Sequence, residues 1–283
     1  MAFVILAAVL QAGLFLLFRV FEQRRVELLP AIAVNYVVAT LFGCVIAPPW
    51  HAGTLSSLWL PSAGIGMLFV FIFYLTGITA QRSGVVASTV ASKMSVVLTV
   101  LFAVIVHHER PGPWGWTGLV FAVIGVVLAS LVKGPSGARG AWWLPAVLFI
   151  GTACIDIALN ATQRTLVTPA TEAVFPILCT ASAGVVSFAY LIYSGSLGTL
   201  RRPSAWIGGS LLGILNYGTL YFVVKALARS GLQASVVFPL ISVGVILCGT
   251  FASMLLFQER PTRAQYIGIG CAVIAIVLLI MAP

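Results

Sequence analysis

Charge is what this sequence has least of. Of its 283 residues, 15 are Lys or Arg and 6 are Asp or Glu, 7% in all, where soluble domains carry about 25%. So few ionic groups cannot clothe the surface of a water-soluble fold of this size. Long polar tracts are missing as well: pieces such as "RSG", "HHERPGP", "KGPSGARGA" and "SLGTLRRPS" leave no room for a separate soluble domain. No HExxH, GxSxG or P-loop occurs, so nothing marks a metallohydrolase, a serine hydrolase or an ATP-driven machine. The five cysteines, Cys44, Cys154, Cys179, Cys248 and Cys271, are odd in number and lie in apolar segments without CxxC or His neighbours. They indicate neither a disulfide framework nor a metal site, and no cofactor is expected. The opening stretch "MAFVILAAVLQAGLFLLFRVFEQRR" lacks the basic front end of a secretory signal and is expected to be a retained first span.

What is abundant is apolar sequence, 61% of the chain, with a mean hydropathy of +1.12. A bilayer core needs roughly 20 such residues per helix. Charges, Pro and Gly divide the chain into ten segments of that kind: 2–18, 30–47, 61–81, 85–106, 114–132, 142–163, 172–194, 205–225, 232–257 and 264–282. They are continuously apolar rather than alternating, which disfavours a β-barrel. The expected fold is therefore an all-α polytopic membrane protein with ten transmembrane helices. The net charge of +9 is spread between the spans as topology signals and forms no nucleic-acid patch. Odd-numbered loops hold Arg19, Arg24, Arg25, Arg82, Lys133, Arg139, Arg201, Arg202, Arg260 and Arg263, and even-numbered ones Arg110, Arg164, Lys225 and Arg229. Cation-rich short loops stay in the cytoplasm, so both termini are expected on the non-cytoplasmic side.

The chain also repeats itself. "YLTGITAQRSGVVAS" from Tyr74 matches "YFVVKALARSGLQAS" from Tyr221, 147 positions on, and "ERPGPWGWTGLVFAVIGVVL" from Glu109 matches "ERPTRAQYIGIGCAVIAIVL" from Glu259, 150 positions on. Two halves result, 1–134 and 135–283, each with five spans. Five is odd, so each motif returns on the opposite membrane face, the pattern of an inverted-topology repeat. The change of offset puts three extra residues into span nine, and Pro239 predicts a local irregularity there.

The five-plus-five repeat, the paired acidic turns "HHERPGPWGW" and "LFQERPTRAQ", and the glycine-rich fifth and tenth spans resemble the drug/metabolite transporter superfamily, in its ten-span EamA type. The resemblance covers essentially the whole chain. It implies a secondary transporter or exporter of small metabolites such as amino acids, with a central cavity between the halves, in a bacterial inner membrane. Family members are often drawn with cytoplasmic termini; the charge count here points the other way. The partners expected are a small solute, the bilayer and protons as candidate coupling ion, with a monomer sufficient. A broad exporter of drugs or amines and a lipid-handling membrane protein are the alternatives.

An ionised side chain in mid-span costs about 2.5–3.5 kcal/mol on insertion scales and is normally paired or turned to a cavity. Two residues fit that description. Lys93 follows Gly84 by nine residues, about 13 Å of helix, with Thr89, Ser92 and Ser95 around it. It is the candidate cation for a substrate carboxylate. Asp156, in "GTACIDIALNATQRT", begins a stripe with Asn160 and Gln163 at i, i+4 and i+7, which lipid would reject. Asp156 is either a proton carrier or the counter-ion of Lys93 that a substrate carboxylate displaces. The second fits better, since a cation at hand makes a poor setting for a proton acceptor. Asn35 and Tyr36, and Asn216 beside Tyr217, are candidates for solute binding or for hydrogen bonds between helices. Tyr74 and its repeat partner Tyr221 offer a ring face and a hydroxyl. Lys225 is expected to snorkel. Trp50, Trp59, Trp142, Trp143 and Trp206 read as an interfacial belt, and Gly209 and Gly213 as a GxxxG packing face.

Overall fold

The computed structural model describes residues 2–51, 55–98, 102, 112–130, 143–168, 170–171, 174–229, 234–258 and 261–281. Within helices, backbone alone is described at 119, 122, 126, 127, 129, 130, 160, 163, 164, 224, 227–229, 234–239, 279 and 280. In chain order the α-helices are α1 Ala2–Gln23, α2 Leu28–Ile46, α3 Trp59–Ser83, α4 Val85–Met94, α5 Pro113–Ser130, α6 Trp143–Thr165, α7 Phe175–Tyr193, α8 Pro203–Arg229, α9 Ala234–Phe257 and α10 Arg263–Met281. Short 3-10 turns cover Pro49–His51, Ser56–Leu58 and Ser196–Arg201. Among the described residues, five stretches are long and apolar enough to cross a membrane, Ala2–Gln23, Leu28–Ile46, Ser56–Ser83, Phe175–Tyr193 and Leu240–Phe257, with shorter apolar helices beside them.

Proline marks where helices begin. Pro30, Pro61, Pro113, Pro145, Pro176 and Pro203 all lie in first turns, where a missing N–H costs nothing and the fixed φ favours the helix. Buried hydroxyls have no water to turn to and bond back to their own helix: Thr40 to the Tyr36 carbonyl, Thr76 to Ile72, Thr79 to Leu75 and Thr89 to Val85, each at 2.7 Å. The outside of the bundle is apolar, with Leu60, Val45, Val185 and Phe251 among its most exposed side chains. Trp59, Trp143 and Trp206 stand exposed near helix starts and Trp50 in a connection, as an aromatic belt requires; Trp142 lies outside the described residues.

Helices pack across the two halves more than within them. α2 packs on α8 and α3 on α7; α1 on α8 and α3 on α6; α1 on α9 and α4 on α6; α5 pairs with α10, α2 with α7 and α4 with α9. Exchanging the first five helices for the last five turns each of these pairs into another of them or into itself. Two close glycine crossings follow the same exchange. A Cβ on Gly213 of α8 would come within 2.7 Å of the Asn35 carbonyl and 2.8 Å of Val38 on α2. A Cβ on Gly66 of α3 would come within 2.7 Å of the Ala183 nitrogen and Ser182 on α7. Gly66 and Gly213 are 147 residues apart, the offset of the repeated motif.

The connection between α3 and α4 is a single residue, Gly84, at φ 91 and ψ 159, a region that only glycine enters readily. The irregularity expected at Pro239 is not there: α9 runs as continuous α-helix from Ala234 through Pro239 to Phe257. Instead span four is interrupted. α4 ends at Met94, Ser95 is a turn, and helix resumes over 96–98. The interruption lies within the stretch over which the repeat offset changes, beside Lys93. The acidic turns Glu109–Pro111 and Glu259–Arg260 fall outside the described residues.

Candidate functional site

Lys93 and Asp156 meet where α4 packs against α6. α4 turns Val86, Val90, Met94 and Val97 onto an apolar cluster with Ile246 of α9 and Ile269, Ala272 and Ile276 of α10. Ala91 packs with Leu144, Leu148 and Ile155 of α6. Between these two anchored faces Lys93 and Asp156 are both half-buried. Their charges act on one another, and the direct contact is made by Ser95: its hydroxyl donates to Asp156 Oδ2 at 3.0 Å. Ser95 Oγ also lies 2.7 Å from the Ser92 carbonyl. One turn before Asp156, the Thr152 hydroxyl is buried with no protein partner among the described residues. A cation, a carboxylate and two hydroxyls therefore share one place inside the bundle. Opposite charges in such a medium are costly to desolvate and strongly attractive to one another, so the place suits a solute that itself carries both signs. Ser95 entered the sequence reading only as a polar neighbour of Lys93. The signal that singles it out is the serine series Ser88, Ser92, Ser95 at helical spacing, which gives α4 a polar edge.

The other candidates lie elsewhere. Asn216 of α8 donates to Asn35 Oδ1 of α2 at 3.2 Å, one turn beyond the Gly213 crossing. Asn35 is fully buried. Tyr36 is buried in an apolar cluster with Phe18, Phe21 and Ile32, its ring centroid 5.8 Å from that of Phe73. Tyr74 is half-buried and packs on the same cluster. Tyr221, its repeat partner, packs with Tyr217, Ala39 and Ile177. The Lys225 ammonium stands 5.3 Å above the Tyr221 ring. Asn160 belongs to α6, and its side chain lies outside the described residues, as does that of Gln163. The structure thus places Lys93 and Asp156 near one another across α4 and α6, bonds Asn216 to Asn35, and keeps these two pairs on different helices.

Residues 1–131 match the model of the EamA-like transporter family. Over that stretch the chain is similar to the EamA-like family. The resemblance to that family is borne out over that stretch, and the match together with the apolar helices supports an integral membrane protein. It is 26% identical over 286 residues to an uncharacterized protein of Haemophilus influenzae, a match covering 97% of this chain and 96% of that one. A protein of known crystal structure, 17% identical, superposes with a TM-score of 0.68 over 98% of this chain and 94% of its own. That likeness is one of fold.

Proposed function

We propose that this EamA-like chain is a secondary transporter, working as an exporter of amino acids or similar zwitterionic and anionic metabolites, by alternating access between two inverted five-helix halves. The observation that carries the solute class is the Lys93–Asp156–Ser95 site, a cation beside a carboxylate that Ser95 bonds, within apolar spans. Lys93 receives the solute carboxylate. Asp156 neutralises Lys93 when the site is empty and accepts the solute ammonium when it is filled. A purely cationic amine would gain Asp156 and be repelled by Lys93, so it fits less well. The exchange of packing partners between helices one to five and six to ten, and the paired crossings at Gly66 and Gly213, support reading 1–134 and 135–283 as repeats in a ten-span bundle. We place the protein in a bacterial inner membrane with both termini outside the cytoplasm, as a monomer, with protons as coupling ion. Asn35 and Asn216 we read as a tie between halves, and Tyr74 and Tyr221 as flanking walls.

The test is uptake of labelled amino acids, nucleobases and amines into liposomes containing the purified protein, with and without a pH gradient. Amino-acid counterflow that depends on Lys93 is expected. Movement of amines or lipid alone would overturn the reading.

A further inference from the structure

A hydroxyl has one proton, and the acceptors within reach of Ser95 include both the Asp156 carboxylate and the Ser92 carbonyl. Asp156 Oδ2 lies at 3.0 Å across the helix contact and the Ser92 carbonyl at 2.7 Å on the same helix. The competition takes place at the interruption of span four, where the Leu98 N–H bonds the Ser95 carbonyl at 3.0 Å, a tighter i to i+3 bond than the α-helical one. Thr89, a turn and a half earlier, shows the uncomplicated arrangement, bonding back to the Val85 carbonyl.

We propose that Ser95 is a positioning residue that couples the occupancy of Asp156 to the backbone of α4, a role that rests on reading Lys93 and Asp156 as the solute site. An ionised carboxylate is about twice as strong a hydrogen-bond acceptor as a neutral group. While no solute is bound, Asp156 faces Lys93 alone, and the hydroxyl turns to it and ties α4 to α6, and hence one half of the chain to the other. Once a solute ammonium occupies the carboxylate, the balance moves to the Ser92 carbonyl, and back-bonding of this kind bends helices. Lys93 stands between Ser92 and Ser95, so the bend moves the cation that holds the other end of the solute. Filling the site and unlocking the contact between the halves become one event.

Hydrogen–deuterium exchange of the full chain in lipid nanodiscs, with no solute added, tests this. Ser95→Ala and Asp156→Ala should each speed exchange over 92–98 by about fivefold, the effect of losing one net hydrogen bond. The double variant should be no faster than the faster single one, and Ser95→Thr, which keeps the hydroxyl, should match the wild type. Two results overturn the proposal: effects that multiply in the double variant, or acceleration by Ser95→Ala with none by Asp156→Ala, the signature of a residue that only caps its own helix. If Asp156→Ala does not insert, Asp156→Asn takes its place and should give a smaller, still non-additive increase, because an amide oxygen is the weaker acceptor. Without solute in the experiment, failure here and failure of amino-acid counterflow are separate outcomes.

Discussion

Lys93 and Asp156 were legible because of what they cost: a charge in an apolar run calls for an explanation, and few explanations exist. Ser95 was not legible in that way. Residues two apart on an ideal helix do not face the same side, so Lys93 and Ser95 should not both reach one carboxylate; the interruption of α4 at Ser95 is what no pattern announces. A charge-assisted contact contributes about 1.5–3 kcal/mol, so Lys93→Ala should weaken solute binding roughly ten- to a hundredfold. Counterflow rates measured against solute concentration will show this as a raised KM, with normal membrane insertion. An unchanged KM would remove Lys93 from the site. Asn35 and Asn216 behave differently if they are a tie. Asn216→Leu should cost about 0.6–1.7 kcal/mol of stability, the range for hydrogen bonds between membrane helices, and Asn216→Leu combined with Asn35→Leu should cost less than the sum of the two. Unfolding in mixed micelles measures the cycle, and strict additivity would mean that the 3.2 Å bond contributes nothing.

Among the elements, helix bounds were legible to within a few residues because proline and charge punctuate the spans. The small-residue face was half legible. Gly209 and Gly213 stand out as GxxxG, but their counterparts 147 residues earlier are Ser62 and Gly66, a pattern that only the matched crossings on α2 and α7 bring out. Both crossings leave no room for a methyl group between backbones. Overpacking of this kind costs about 1–3 kcal/mol, and Gly213→Ala and Gly66→Ala should each lower thermal stability in detergent by that order. Substitution at Gly198, where an added Cβ meets nothing, supplies the control. Gly84 tests a different cause. At φ 91 and ψ 159 any side chain strains the backbone by about 1–3 kcal/mol, so Gly84→Ala should destabilise although the cost is conformational and not one of space. An unaffected melting midpoint would mean that the α3–α4 corner has another conformation open to it.

At the scale of the molecule, the charges that set orientation gather on one face, and contacts between distant segments show which helix ends share it. Arg19 near the end of α1 donates to the Gln81 carbonyl near the end of α3 at 3.0 Å, and Gln81 donates back to the Phe18 carbonyl at 3.3 Å. Arg202, ahead of α8, pairs with Glu27, ahead of α2. The ends of α1 and α3 and the starts of α2 and α8 therefore lie together, with Arg24, Arg25, Arg82 and Arg201 around them. The ten cations of the odd-numbered loops against four of the even-numbered ones are the reason for proposing this face as the cytoplasmic one, by the rule for short loops. The repeat alone could not decide this, because a molecule built from inverted halves fits the membrane either way up, and only charge breaks the tie. In a cysteine-free background, Ala2→Cys should be labelled in intact cells by a thiol reagent that does not cross the inner membrane. Gly198→Cys, on the exposed segment between α7 and α8, should react only after the membrane is opened. The reverse pattern would turn the bundle over and overturn the proposed placement of both termini outside the cytoplasm.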